Sequence, residues 1–147
     1  MAKVRITKEF NFEMAHVLYN YDGLCSNIHG HSYKLLVTVL GDIAEDDSSH
    51  KLGMVMDFSI LKSIVTEEIV SRLDHALMVY DKFPNINALK AATERFYSTP
   101  YQPTCENMVV DFARRIRARL PQGISLFSVR LHETATSYAE WFASDNE

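Results

Sequence analysis

The chain predicts an α+β domain in which two helices cover one face of a four-stranded antiparallel sheet, in the order ββααββ. Three observations carry that expectation: two long period-2 runs near the N-terminus, two later stretches with apolar residues every three or four positions, and a return to alternation near the C-terminus. The first strand is expected over about Val4 to His16, with Phe10, Phe12, Met14 and His16 on one face. The second, from about His29 to Leu40, puts Tyr33, Leu35, Val37 and Val39 on the face of His29 and His31. Gly41 to Gly53 is acidic and Ser-containing, and reads as an exposed loop holding His50. The first helix begins near Asp57, a good N-cap residue, and carries Leu61, Ile64, Val65 and Ile69 as a buried stripe to about Leu73. The second starts behind Pro103 with Thr104 as N-cap and Glu106 in its first turn, where a carboxylate meets the positive end of the helix dipole. Met108, Val109, Phe112, Ile116 and Leu120 form its apolar stripe, and Pro121 and Gly123 stop it. Ile124 to His132 resumes alternation, with a final strand near Ser137 to Phe142. Tyr80 to Gln102 remains as a long connection, with a short helix expected over Ala88 to Phe96 and no role assigned by its residues.

At 147 residues the chain is expected to be a single domain, 1–147, large enough for a real core. No repeat, linker, basic-plus-apolar leader or apolar run of membrane-spanning length is seen, so no membrane partner is expected. Two cysteines do not suggest a disulfide framework, and a reducing, cytoplasmic location is expected. The formal net charge of -4 argues against a nucleic-acid partner. The clustered Arg114, Arg115, Arg117 and Arg119 fall late in the second helix, where cations complement the dipole on a solvated face. A small sheet covered on one face leaves its other face and edges bare, so oligomerisation is expected, with an active site that draws on more than one subunit.

The chemistry concentrates in Cys25-Ser26-Asn27-Ile28-His29-Gly30-His31 and in His16 just upstream. His29 and His31 project from the same face of an extended strand, and His16 shares a face with Phe10, Phe12 and Met14. If the two strands pair as a hairpin, three imidazoles converge. Neutral imidazole suits zinc, and three protein ligands with one open tetrahedral position make a catalytic rather than a structural site. The alternative is a closed structural site with Cys25 as fourth ligand, although such sites usually draw on more than one Cys.

Two further groups stand out. Asp74 precedes His75 directly after the first helix, and could orient an imidazole that shuttles protons; a His at a helix C-terminus is the plainer reading of the dipeptide alone. Glu133 shares parity with Phe127, Val129 and Leu131, hence an expected buried face, and a buried carboxylate needs either an internal partner or a ligand with adjacent N–H donors.

The ordered set Phe12-Glu13-Met14-Ala15-His16, Cys25 with His29-Gly30-His31-Ser32-Tyr33, Gly53-Met54-Val55-Met56-Asp57-Phe58, Leu73-Asp74-His75, Pro103-Thr104-Cys105-Glu106-Asn107 and Glu133-Thr134 resembles the 6-pyruvoyltetrahydropterin synthase family, which includes the 6-carboxytetrahydropterin synthases of queuosine biosynthesis. The resemblance spans most of the chain. It implies the tunnelling fold, with trimers closing a barrel of strands and stacking into a homo-hexamer. It implies Zn2+ on His16, His29 and His31, Cys25 as general base with Asp74 and His75 in a proton relay, and Glu133 gripping the pterin of 7,8-dihydroneopterin triphosphate. Thr104 and Glu106 would line the pterin pocket from a neighbouring subunit. The three-residue gap between Cys25 and His29 resembles the carboxy-forming bacterial branch; the pyruvoyl-forming enzyme is the alternative, and a non-catalytic zinc-stabilised binding module is the alternative of another class. Two departures from the pattern are the length of Tyr80 to Gln102 and His132 before the glutamate.

Overall fold

The computed structural model of the chain describes residues 2–23 and 26–147. β1 (Lys3–His16) and β2 (His29–Asp42) form a long antiparallel hairpin that runs from Lys3 opposite Asp42 to His16 opposite His29. α1 (Phe58–Val65) follows, capped by the Asp57 carboxylate, which accepts from the Ser59 N–H at 2.8 Å. It continues through a wide π turn at Thr66–Val70 into α2 (Ser71–Leu73). β3 (Ala76–Tyr80), α3 (Ile86–Ala91) and β4 (Phe96–Thr99) come next, then α4 (Cys105–Arg117), β5 (Ser125–His132) and β6 (Tyr138–Phe142). Thr104 caps α4, its hydroxyl accepting from the Asn107 N–H at 3.2 Å.

Among the described residues the sheet therefore has six strands rather than four, in the order β4-β3-β1-β2-β5-β6. The four expected strands form its antiparallel part, and the two added strands, β3 and β4, run parallel to β1 and to each other. Both come from the segment around the long connection. The short helix there is Ile86–Ala91, and Phe96 belongs to a strand.

The core lies between one face of the sheet and the helices. Phe12, Leu35, Val37 and Val129 from the strands meet Leu61, Ile69, Met108 and Phe112 from the helices, all 2 % exposed or less. Such side chains each contribute roughly 1.5–3 kcal/mol on burial. The opposite face of β1 carries Arg5, Thr7, Glu9, Asn11 and Glu13, exposed in strict alternation. One parity expectation is corrected: the β2–β5 register slips between Thr38 and Val39, so that Leu126, Val129 and Leu131 face the core. Phe127 instead stacks beneath the Arg5 guanidinium at 3.8 Å.

The arginines of α4 also divide in a way that helix periodicity did not indicate. Arg114 is exposed, but Arg115 is largely buried and bonds Asp111 at 2.8 Å, the Tyr97 hydroxyl at 2.7 Å and the Glu68 carbonyl at 3.0 Å. The Tyr101 hydroxyl donates to the same Asp111 carboxylate at 2.6 Å. Burial alone would raise the Asp111 pKa, yet the hydrogen bonds from Tyr101 and Arg115 hold it below the usual carboxylate range. A lowered folded-state pKa contributes stability above the unfolded value of about 3.9 that is lost as pH falls through the folded value. Asp111→Asn is thus expected to cost about 2 kcal/mol near neutrality, the scale of a broken charged hydrogen-bond set. Thermal melts from pH 7 down to pH 2 should show the gap between wild type and variant closing in acid; a constant gap would contradict this account.

Candidate active site

The hairpin register brings the three histidines to one place. His16 ends β1 opposite His29, and His31 lies opposite Met14, so all three side chains leave the core-facing side at the loop end of the hairpin. The His16 Nδ1–H donates to the Pro103 carbonyl at 2.7 Å, and the His29 Nδ1–H to the Asn27 carbonyl at 2.7 Å. Those bonds fix the rings and leave Nε2 as the free lone pair, the usual outer-sphere arrangement of a ligating histidine. The His16 and His29 Nε2 atoms are 2.9 Å apart, and the three possible ligand atoms lie within 4.8 Å of one another. Burial lowers the pKa of both His16 and His31, with Glu133 acting against it, so both favour the neutral form that binds metals.

The three histidines are positioned to bind a metal ion. The fit is supported by an orphaned atom: His31 Nε2 is buried and has no hydrogen-bond partner. A buried acceptor left alone is costly, and a cation among three such nitrogens removes the cost. A tetrahedral zinc with ordinary Zn–N bonds would need the nitrogens about 3.3 Å apart, within the range the cluster spans.

Glu133 follows the end of β5, and its Oε1 approaches the Nε2 atoms of both His16 and His31 at 3.5 Å. It is half-buried rather than fully buried. With Cys105, Glu106, Ser137, Tyr138 and Ala139 it lines a pocket of about 240 Å³. A separate pocket of about 400 Å³, lined by Glu13, Gly30, Ser32 and His75, lies on the opposite face of the hairpin, where the Ser32 hydroxyl donates to Glu13 at 2.6 Å. The two hollows share no lining residue. Glu106, in the first turn of α4, lines the smaller pocket within the same chain, and the Thr104 hydroxyl is engaged as the α4 cap.

Asp74 and His75 sit at the rim of the larger hollow. Asp74 accepts from the Glu13 backbone N–H at 2.9 Å, which holds its carboxyl below the ordinary range, and it lies 3.1 Å from His75 Nδ1. Arg95 donates to its carbonyl at 2.9 Å. His75 has φ of 63°, a left-handed conformation that a non-glycine residue rarely holds, and its backbone N–H donates to the Glu13 carbonyl. Adjacent residues seldom face each other, and this backbone turn is what lets these two do so. Glu13 thus anchors the pair through its main chain, a role no side-chain pattern announces.

Cys25 lies outside the described residues. The other cysteine, Cys105, is buried, donates its S–H to the Leu131 carbonyl at 3.0 Å, and has its pKa pushed up to about 11 by burial, which makes it a poor thiolate. Gly30 is not sterically demanded: a Cβ there would meet only the Met14 carbonyl, at an ordinary 3.6 Å.

Comparison with known proteins follows from this geometry. The family model described as 6-pyruvoyl tetrahydropterin synthase matches residues 5–144. A Haemophilus influenzae protein named 6-carboxy-5,6,7,8-tetrahydropterin synthase is 40 % identical over 144 residues, covering 93 % of this chain and 97 % of that one. Its namesake from Synechocystis is 34 % identical, covering 94 % and 92 %. Among solved structures, an uncharacterised Wolinella succinogenes protein superposes with a TM-score of 0.79 at 20 % identity, covering 97 % of this chain and 99 % of that one. The Caenorhabditis elegans 6-pyruvoyl tetrahydropterin synthase does so with a TM-score of 0.69 at 23 %, covering 97 % of each; both show a shared fold.

Proposed function

The chain belongs to the 6-pyruvoyl tetrahydropterin synthase family, and from that footing we propose that it is a zinc-dependent lyase forming 6-carboxy-5,6,7,8-tetrahydropterin for 7-deazaguanine and queuosine biosynthesis. The substrate is 7,8-dihydroneopterin triphosphate. The observation that carries this reading is the convergence of three imidazole nitrogens beside the Glu133 carboxylate. The carboxy outcome is favoured by the names of the Haemophilus influenzae and Synechocystis relatives.

His16, His29 and His31 would hold the metal, and a bound zinc supplies Lewis acidity to hydroxyl groups placed beside it. Glu133 offers two carboxylate oxygens to the 2-amino and ring N–H groups of the pterin, which sets the ring's orientation. Thr104 and Glu106 line the wall near it. Cys25, as thiolate, takes a proton from the substrate side chain, and the His75 imidazole, oriented by Asp74, passes protons onward. The atoms balance only with one water: substrate plus water gives the carboxylated pterin, acetaldehyde and triphosphate, the cleaved carbon–carbon bond releasing two side-chain carbons while the ring gains the two electrons of the reduction. The pyruvoyl outcome consumes no water. No described helix is long and apolar enough to cross a membrane; the working form is a cytoplasmic homo-hexamer of stacked trimers without nucleic-acid or membrane partners.

The test is a product assay with zinc-loaded protein in 18O-labelled water. Equimolar acetaldehyde and triphosphate, with label in the pterin carboxylate, are expected. A pyruvoyl product without acetaldehyde would replace the assignment with the sister activity, and pterin binding without turnover would leave a binding module.

A further inference from the structure

Tyr33 is 1 % exposed, and its ring is held from several sides. It stacks on Phe12 with centroids 5.1 Å apart, and meets the His31 and His16 rings edge-on at 5.5 and 6.4 Å. Its hydroxyl, however, is buried with no hydrogen-bond partner. A phenol is an O–H donor at neutral pH, and its ring packs against the same two histidines that the Glu133 carboxylate approaches. An unanswered buried donor is costly, and a core that wanted only the ring would be served as well by phenylalanine. Cys105 has committed its S–H to Leu131. Among the described residues the Glu133 carboxylate makes no close hydrogen bond: its contacts, to His16 and His31, are both 3.5 Å. A donor without an acceptor therefore sits in the neighbourhood of a carboxylate without a close donor.

We propose that Tyr33 is a positioning residue for Glu133, its hydroxyl donating to the carboxylate once a ligand with two N–H groups draws that carboxylate off the histidines. The bond would then fix the carboxylate from behind while the ligand's donors meet it in front. This rests on the pterin reading of Glu133, and the test separates the two. Titrate a non-reactive pterin such as sepiapterin into zinc-loaded wild type, Tyr33→Phe, Glu133→Gln and the double variant. Tyr33→Phe is expected to bind about tenfold more weakly, the scale of a hydrogen bond to a charged group. Its zinc content should be unchanged and its Tm equal to or above that of wild type, because the hydroxyl lost is one the free protein leaves unpaired. In the Glu133→Gln background the same change should have almost no effect, since the two residues act as one unit. Wild-type affinity in Glu133→Gln overturns the pterin reading itself. A loss in Glu133→Gln overturns the Tyr33 assignment alone if Tyr33→Phe binds as wild type, if its loss persists undiminished in the double variant, or if its Tm falls.

Discussion

His29→Ala and His31→Ala should each strip the protein of most of its zinc, from about one ion per chain, and lower turnover by about a thousandfold, the scale of several kcal/mol of lost charge stabilisation. Neither change should unfold the chain. The His31 Nε2 has no hydrogen bond to lose, and His29 gives up a bond to the Asn27 carbonyl at a partly exposed site. His16 is a poorer probe, because it is 2 % exposed and its Nδ1–H satisfies the Pro103 carbonyl that precedes the α4 cap. Metal analysis gives the first readout. A chelator gives a second: a ligand that binds only the folded state raises its Tm, so chelation should lower the wild-type Tm and leave the variants where they are. Stoichiometric metal in both variants would discard the ligand set.

The metal cluster was legible in sequence because strand parity and a hairpin are local facts. Alternation put His16 with Phe12 and Met14, and His29 and His31 with Tyr33 and Leu35, and pairing Lys3 with Asp42 through His16 with His29 did the rest. Both helix caps were legible for the same reason, since Asp57 and Thr104 each act on residues two or three positions away. The extra strands were not. Ala76–Tyr80 is buried on both faces as an inner parallel strand, so it has no alternation to display, and it follows α2 after only two residues with no Gly or Pro between them. Phe96–Thr99 is four residues long, too short for any period to register. Phe127 misled because a bulge changes parity without changing composition. Arg115 misled because its partners, Asp111 aside, come from the π turn and from β4, which no reading of the α4 helix alone could supply. Glu133 was read as inward-facing, and it does point at the histidines, but from the turn beyond β5 rather than from the strand itself.

Cys25→Ala should abolish most turnover while leaving zinc, fold and pterin affinity in place. A thiolate base is worth about 10²- to 10⁴-fold, and neither Cys105 nor His75 is suited to take over. Cys105 has its thiol tied to Leu131 and its pKa pushed up to about 11, so almost none of it is thiolate near neutrality. His75 is exposed and carries an Asp74 partner at 3.1 Å, which suits it to receive and release protons rather than to replace a thiolate at the reacting carbon. Retention of zinc is the informative half of the result. If three imidazoles are the whole ligand set, as the cluster of Nε2 atoms allows, the thiol is free for chemistry and its removal leaves the metal content untouched. If Cys25→Ala instead loses zinc together with activity, the site is closed by sulfur, the open coordination position disappears, and Lewis-acid activation of a substrate hydroxyl loses its structural basis. Metal content and single-turnover rate measured on the same preparation decide between these outcomes.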